Sequence, residues 1–262
     1  MTGSRARNLF DGLLSWASNL IFLMGTSFGE RYRRSKLSIL LAIGEPLGVI
    51  AIFAGTHSLI TSRAPFGPSV VLFFATGILP FYLFFHISWR MRAWDHLRRL
   101  PRVTEVDLFL IHVLDELLTK VVIIIILGFA IWLTGIEQAI PQDPLRCLLA
   151  LLIIAVQGAA VGLLNAVIAG FFFSWLYIYA ILIRGWMAFS GVLFVVDYMP
   201  PALREIAIWN PITHAITYYR FGYYADYPHR TLEMEYLLWS TAGLFFFAIV
   251  AIVSTRPYRS TV

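Results

Sequence analysis

Charge is what this chain has least of. Only 13% of its residues are charged against 59% hydrophobic, and the mean hydropathy is +0.76, too few ionisable groups to clothe a water-exposed globule. A soluble fold is excluded. Lysine is almost missing: Lys36 and Lys120 stand alone, and neither closes a Gly-x-x-x-x-Gly-Lys-Ser/Thr loop, so the chain lacks the phosphate cradle of a P-loop ATPase. Cys147 is the single cysteine, which rules out an intramolecular disulfide and a thiolate metal cluster within one chain. His86, His112 and His214 are scattered without metal-ligand spacing. With no Gly-x-Ser-x-Gly elbow and no His-Glu-x-x-His pair, a hydrolase or zinc protease gains no support. No catalytic residue and no metal site is expected.

What the chain has is length in apolar runs. Six are read, over 37–54, 70–88, 106–134, 145–172, 175–196 and 237–254, each close to or beyond the roughly 20 helical residues that cross a hydrocarbon core. They are continuously apolar rather than alternating, which favours helices over a β-barrel. The expected fold is an all-α integral membrane protein with six transmembrane helices. The two longest runs, 106–134 and 145–172, exceed one bilayer thickness and call for tilt.

Arginine and lysine set the orientation, because they are held on the cytoplasmic side during insertion. Arg5, Arg7, Arg31, Arg33, Arg34 and Lys36 precede the first run, Arg90, Arg92, Arg98, Arg99 and Arg102 lie between the second and third, and Arg256 and Arg259 follow the sixth. The opposite connections carry only Arg63, Arg146, Arg204, Arg220 and Arg230. Both termini are therefore expected in the cytoplasm. The same asymmetry accounts for the net charge of +5 without nucleic-acid binding, as topogenic residues that also meet anionic lipid. Residues 1–36 mix Arg5 and Arg7 with a semi-apolar stretch interrupted by Ser15, Ser18 and Asn19, which reads as a cytoplasmic interfacial helix rather than a signal peptide. Residues 37–262 form the transmembrane domain.

Ionisable residues within the runs are costly and must face protein or water. They are Glu45, Asp115, Glu116, Lys120 and Arg184. Glu116 and Lys120 stand at i, i+4 with the acid first, which allows an ion pair, whereas Asp115 lies off that face. Arg184 has no local partner. It either attracts an anion or pairs with Glu45 of a neighbouring helix. Aromatics make up 16% of the chain. Most belong to interfacial belts and lipid-facing packing, but Phe81, Tyr82 and Phe85 on the second run and Tyr179, Trp186, Phe189 and Phe194 on the fifth are candidates to line a path, since sugar C–H faces stack on rings.

Two connections are too ordered to be plain loops. In 90–102, a short helix puts Trp94, Leu97 and Leu100 on one side with Arg92, Asp95 and Arg98 beside them, closed by Pro101. That apolar ridge rimmed by charge suits docking into a partner groove, or a snorkelling loop at the headgroups. Between the fifth and sixth runs, 197–235 reads as two short amphipathic helices split at Asn210-Pro211, either re-entrant or folded on the surface.

Three motifs then carry a resemblance across most of the chain: Glu45-Pro46, Thr76-Gly77-Ile78-Leu79-Pro80-Phe81, and Trp209-Asn210-Pro211-Ile212-Thr213-His214 through Arg220. The chain resembles the membrane subunit of type-two ABC exporters, and among them the capsular polysaccharide permeases of the KpsM kind. The resemblance implies six helices per subunit, a homodimer, and two separate ATP-binding subunits that bind ATP and Mg, with no cofactor on this chain. It further implies a lipid-linked polysaccharide as cargo, periplasmic and outer-membrane polysaccharide export proteins as partners, and the bacterial inner membrane as location. It makes 90–102 the coupling helix to the ATPase, with Glu30 and Arg31 as a second contact, and 197–235 an exit gate whose residues are Asn210, Pro211, His214 and Arg220. Thr217 departs from the pattern, where many members carry glutamate, so no role for that carboxylate transfers. O-antigen and teichoic-acid permeases share the plan. From other classes, an ion-coupled secondary transporter using Asp115, Glu116 and Lys120 as a proton relay, or a membrane-embedded enzyme acting on lipid-linked sugar, stay open at this point.

Overall fold

The computed structural model describes residues 36–89, 105–172 and 174–259, together with Ser18 and Gly25. The interfacial helix expected in 1–36 and the segment 90–102 lie outside these residues, and with them Glu30, Arg31, Arg92, Trp94, Asp95, Leu97, Arg98 and Leu100.

Among the described residues every regular element is a helix. Four long ones come first: α1 (Lys36–Ile60), α2 (Val70–Trp89), α3 (Glu105–Trp132) and α4 (Pro144–Phe171). Three shorter ones follow, α5 (Trp175–Trp186), α6 (Pro201–Ile208) and α7 (Pro211–Tyr223), and α8 (Met234–Arg259) ends the fold. Local chemistry sets several of these boundaries. Asp143 caps α4 by accepting from the backbone N–H of Arg146 at 2.9 Å, and Pro144 fills the first helical position, where a missing N–H costs nothing. Asn210 and Pro211 do the same for α7.

α2 is the axis of the packing. All of it except Val70, Val71, Tyr82 and Trp89 is buried, because α4, α1, α3, α7 and α5 all lie against it. α4 in turn meets α8 and α7, and its buried face is rich in small residues such as Ala155, Gly158, Ala159 and Gly162, which let helices approach closely where lipid offers no hydrophobic drive. The outward faces are apolar: Leu118, Val122, Ile125, Ile126 and Phe129 form a helical stripe on α3, and Trp239, Phe246, Phe247 and Val253 are exposed on α8. Among the described residues four helices are long and apolar enough to cross a membrane, over Ile43–Ile60, Val70–Trp89, Glu137–Phe171 and Met234–Thr255. α3 has the length, at 28 residues, but its buried Asp107, Asp115, Glu116 and Lys120 lower its hydropathy.

The fifth run differs from its expectation. A helix over 175–196 was expected, yet α5 stops after 12 residues at Trp186, and a 3-10 turn at Met187–Phe189 leads into an irregular strap up to Val195. At 1.5 Å per residue α5 reaches about 18 Å, short of the bilayer core of about 30 Å. The strap is as apolar as a helix would be, but Gly191 sits at a φ of 68°, a left-handed conformation that only glycine adopts freely, and the chain turns there.

Candidate functional site

The split at Asn210-Pro211 lies between α6 and α7, and of the four residues expected at an exit gate Asn210, His214 and Arg220 make hydrogen bonds that tie these helices to their neighbours. Asn210 Oδ1 accepts from Ile212 N–H at 3.2 Å, while its Nδ2 donates to Ser190 Oγ at 2.9 Å, tying the start of α7 to the strap. Pro211 supplies the first residue of the helix. His214 Nε2 donates to Ile208 O at 2.7 Å and its Nδ1 accepts from Glu233 N–H at 3.1 Å, so a single neutral tautomer joins α6, α7 and the approach to α8. Asp197 clasps the other side of the cap, accepting from the N–H groups of Arg230 and Thr231 at 2.8 and 3.1 Å and from the Thr231 hydroxyl at 2.7 Å.

Arg220 is the centre of this cap. It is 0% exposed, and its guanidinium carbon lies over the Phe73 ring, 4.0 Å from the ring centre. One terminal nitrogen donates to Gly191 O at 2.7 Å and Tyr227 Oη at 3.2 Å, the other to Val192 O at 2.7 Å and Phe73 O at 3.1 Å. A buried unpaired charge costs several kcal/mol, roughly, and hydrogen bonds to a charged donor return about 1.5–3 kcal/mol each, so four of them are what makes the position tenable. Gly77 completes the arrangement: a Cβ there would collide with the Arg220 guanidinium and lie 2.7 Å from Val192 O. Two of the motifs, Thr76 to Phe81 and Trp209 to Arg220, thus meet in space, the glycine of one making room for the arginine of the other.

A second polar cluster lies along α1, α2 and α3. Lys120 Nζ donates to His86 Nδ1 at 3.0 Å and stands 3.8 Å from Glu116, the expected i, i+4 pair. His86 Nδ1 is also 3.4 Å from Glu116, and Nε2 is 3.4 Å from Glu45. Nδ1 accepts from Lys120, while Nε2 makes no hydrogen bond among the described residues and stands at ion-pair distance from Glu45. His86, Glu116 and Lys120 are buried, as is Asp115, while the Glu45 side chain is 40% exposed. Glu45 thus stands beside His86. The alternative pairing with Arg184 is not what the structure shows: Arg184 is exposed, and its guanidinium lies 5.8 Å from the centre of the Phe85 ring, within cation–π reach.

The path candidates separate into three groups. Phe81 and Phe85 are buried in the core, with Phe85 stacked on Trp89 at 5.7 Å. Tyr82 is half-buried beside Phe85 and His86, and Phe189 and Phe194 are exposed on the strap. Tyr179 and Trp186 face elsewhere, into a cavity of about 310 Å³ between α5, α4, α7 and α8 that Phe84 and Trp209 also line. Sequence reasoning missed His86 as the bridge between charges on two other helices, the strap carbonyls of Gly191 and Val192, and the Ser88, Asn165, Tyr179 and Trp175 bonds that tie α5 to α2 and α4. None carries a spacing signal, since each joins residues remote in the chain.

These features define a helical multi-pass membrane protein with a pinned cap of short helices over long apolar ones. The ABC-2 type transporter family matches residues 18–224, and the chain belongs to that family. It is 25% identical over 230 residues to the polysialic acid transport protein KpsM of Escherichia coli, covering 86% of this chain and 88% of that protein. It is also 25% identical over 151 residues to the capsule polysaccharide export inner-membrane protein BexB of Haemophilus influenzae, covering 54% of this chain and 56% of that one.

Proposed function

We propose that this chain is the membrane permease subunit of an ATP-driven exporter that moves lipid-linked capsular polysaccharide across the bacterial inner membrane. The observation that carries the reading is the lock between Gly77 and Arg220, formed by two of the motifs on which the family resemblance rests, in a chain that lacks a phosphate loop and matches ABC-2 transporters over residues 18–224. ATP and Mg then belong to a partner, two ATP-binding subunits under a homodimer of this chain. In this reading α3 and the short α5 join the four apolar helices to make six crossings, the arginine-rich connections keep both termini in the cytoplasm, and α6 and α7 are re-entrant helices at the exit. Segment 90–102, with Trp94 at its centre, and Glu30 and Arg31 are the coupling surface; periplasmic and outer-membrane export proteins continue the path. Arg184 and Tyr82 offer a cation and a hydroxyl to an acidic polymer from the half-exposed side of α2 and α5, with Glu45 alongside on α1.

The chain from half-exposed Glu45 through buried His86 to Lys120 and Glu116 favours one second reading, an ion-coupled transporter. Reconstitution separates the two. Glycan movement in vesicles should need the ATPase subunit and ATP and survive collapse of the proton gradient; uphill movement by this chain alone, stopped by a protonophore, would reverse the assignment.

A further inference from the structure

The cavity beside α5 fits neither the cap nor the polar cluster. Tyr179, Leu182, Ile183 and Trp186 stand along it at i, i+3, i+4 and i+7, so one helix face walls it for about 10 Å. Its volume of about 310 Å³ is at the lower end of the range for small-molecule sites. Leu182, Trp186 and Trp209 are exposed at its rim. The walls are mostly hydrocarbon and aromatic, and one polar atom of a lining residue, Gln157 Oε1, has no hydrogen-bond partner among the described residues.

Gln157 lies at the middle of α4 and is 1% exposed. Its Nε2 donates to Thr241 Oγ1 at 2.8 Å, and Thr241 donates its own proton to Leu237 O at 2.6 Å. Thr241 therefore can only accept from Gln157, which fixes the amide orientation. The remaining atom, Oε1, is buried without a hydrogen-bond partner among the described residues. The other polar groups on the wall are committed: Tyr179 Oη donates to Ser88 Oγ at 2.7 Å, and Asn210 is bonded to Ser190 and Ile212. Native proteins rarely leave a buried acceptor orphaned, at about 1–3 kcal/mol each.

We propose that this cavity is a binding site for a hydroxyl-bearing membrane amphiphile, its hydrocarbon body along the α5 face and its O–H donated to Gln157 Oε1. A pure hydrocarbon would leave the acceptor unmet. A sugar ring would bring several hydroxyls to a wall with one group to receive them. The site needs no knowledge of the exporter's cargo and stands apart from the proposed transport reaction.

The test uses the full chain in phosphatidylcholine nanodiscs doped with a diacylglycerol that carries a diazirine on one acyl chain, compared with the same probe whose free hydroxyl is methylated. After irradiation, adducts are mapped by mass spectrometry. Leu182 and Val161 should take about fivefold more label from the alcohol than from the ether, the worth of one hydrogen bond, while lipid-facing Phe247 takes equal label from both. Gln157→Leu should level the two probes in the cavity, and Val161→Trp should fill it and remove both labels. Equal labelling of the wild-type cavity by alcohol and ether, as expected if water satisfies Gln157, overturns the proposal. So does absence of label from the cavity, or cross-linking of its rim to a second copy of the chain instead of lipid. The wild-type comparison stands even if a variant fails to fold.

Discussion

Arg220 and Lys120 are both cations buried to within 1% in an apolar chain, yet they are held in opposite ways. Arg220 spends three of its four hydrogen bonds on main-chain carbonyls, those of Gly191, Val192 and Phe73. Lys120 is held by the side chains of His86 and Glu116, and through His86 it reaches Glu45. The first arrangement pins two stretches of backbone, the strap and α2, to one point on α7 and leaves the cap a single geometry. The second links α1, α2 and α3 through groups that can each rotate away. A fixed closure and a separable joint are different devices, and the fold builds one from a planar five-donor fork and the other from a point charge on a flexible stem.

Breaking the fixed device should have the larger consequence. Arg220→Ala strands three carbonyls and empties a fully buried volume, for a loss on the order of 4 kcal/mol, read as a lowered midpoint in detergent-titrated unfolding; Arg220→Lys should recover little, since one ammonium cannot span the acceptors. A midpoint unchanged in Arg220→Ala would show that the cap is not pinned there. Lys120→Met should come next, at about 3 kcal/mol, because Glu116 loses its cation in the interior. Adding Glu116→Gln should restore part of it, with a coupling of about 1–3 kcal/mol in the double-mutant cycle, and strict additivity would deny the joint. Gly77→Ala keeps Arg220 but pushes on it, and should cost about 2 kcal/mol as overpacking; an additive double variant with Arg220→Ala would separate the two residues. The smallest effect on stability is expected at exposed Arg184, where Arg184→Gln should shift the midpoint by less than about 0.5 kcal/mol. Export of an anionic glycan by that variant should fall, and undiminished export would take Arg184 out of the path.

Much of this was legible before the structure. The second run, read as 70–88, is α2 at Val70–Trp89, and the break at Asn210-Pro211 lies between α6 and α7, because hydrophobic length and proline are local signals. The Glu116–Lys120 pair followed from helical spacing. The end of α5 did not, since hydropathy cannot see a strap whose carbonyls are satisfied by an arginine some thirty residues further on. His86 was hidden for the same reason: its partners come from the helices before and after its own. Of the path candidates, Tyr179 and Trp186 share a cavity whose functional polar residue, Gln157, has no motif to announce it.

Because the Arg220 clasp takes the main-chain carbonyls of Gly191 and Val192, the apolar side chain at position 192 can change so long as the backbone keeps its course, whereas Phe73 under the guanidinium, position 220 and the small residue facing it cannot. Two proteins that agree at only one residue in four can then carry the same closure. Divergence in such a cap is a poor measure of divergence in how it shuts.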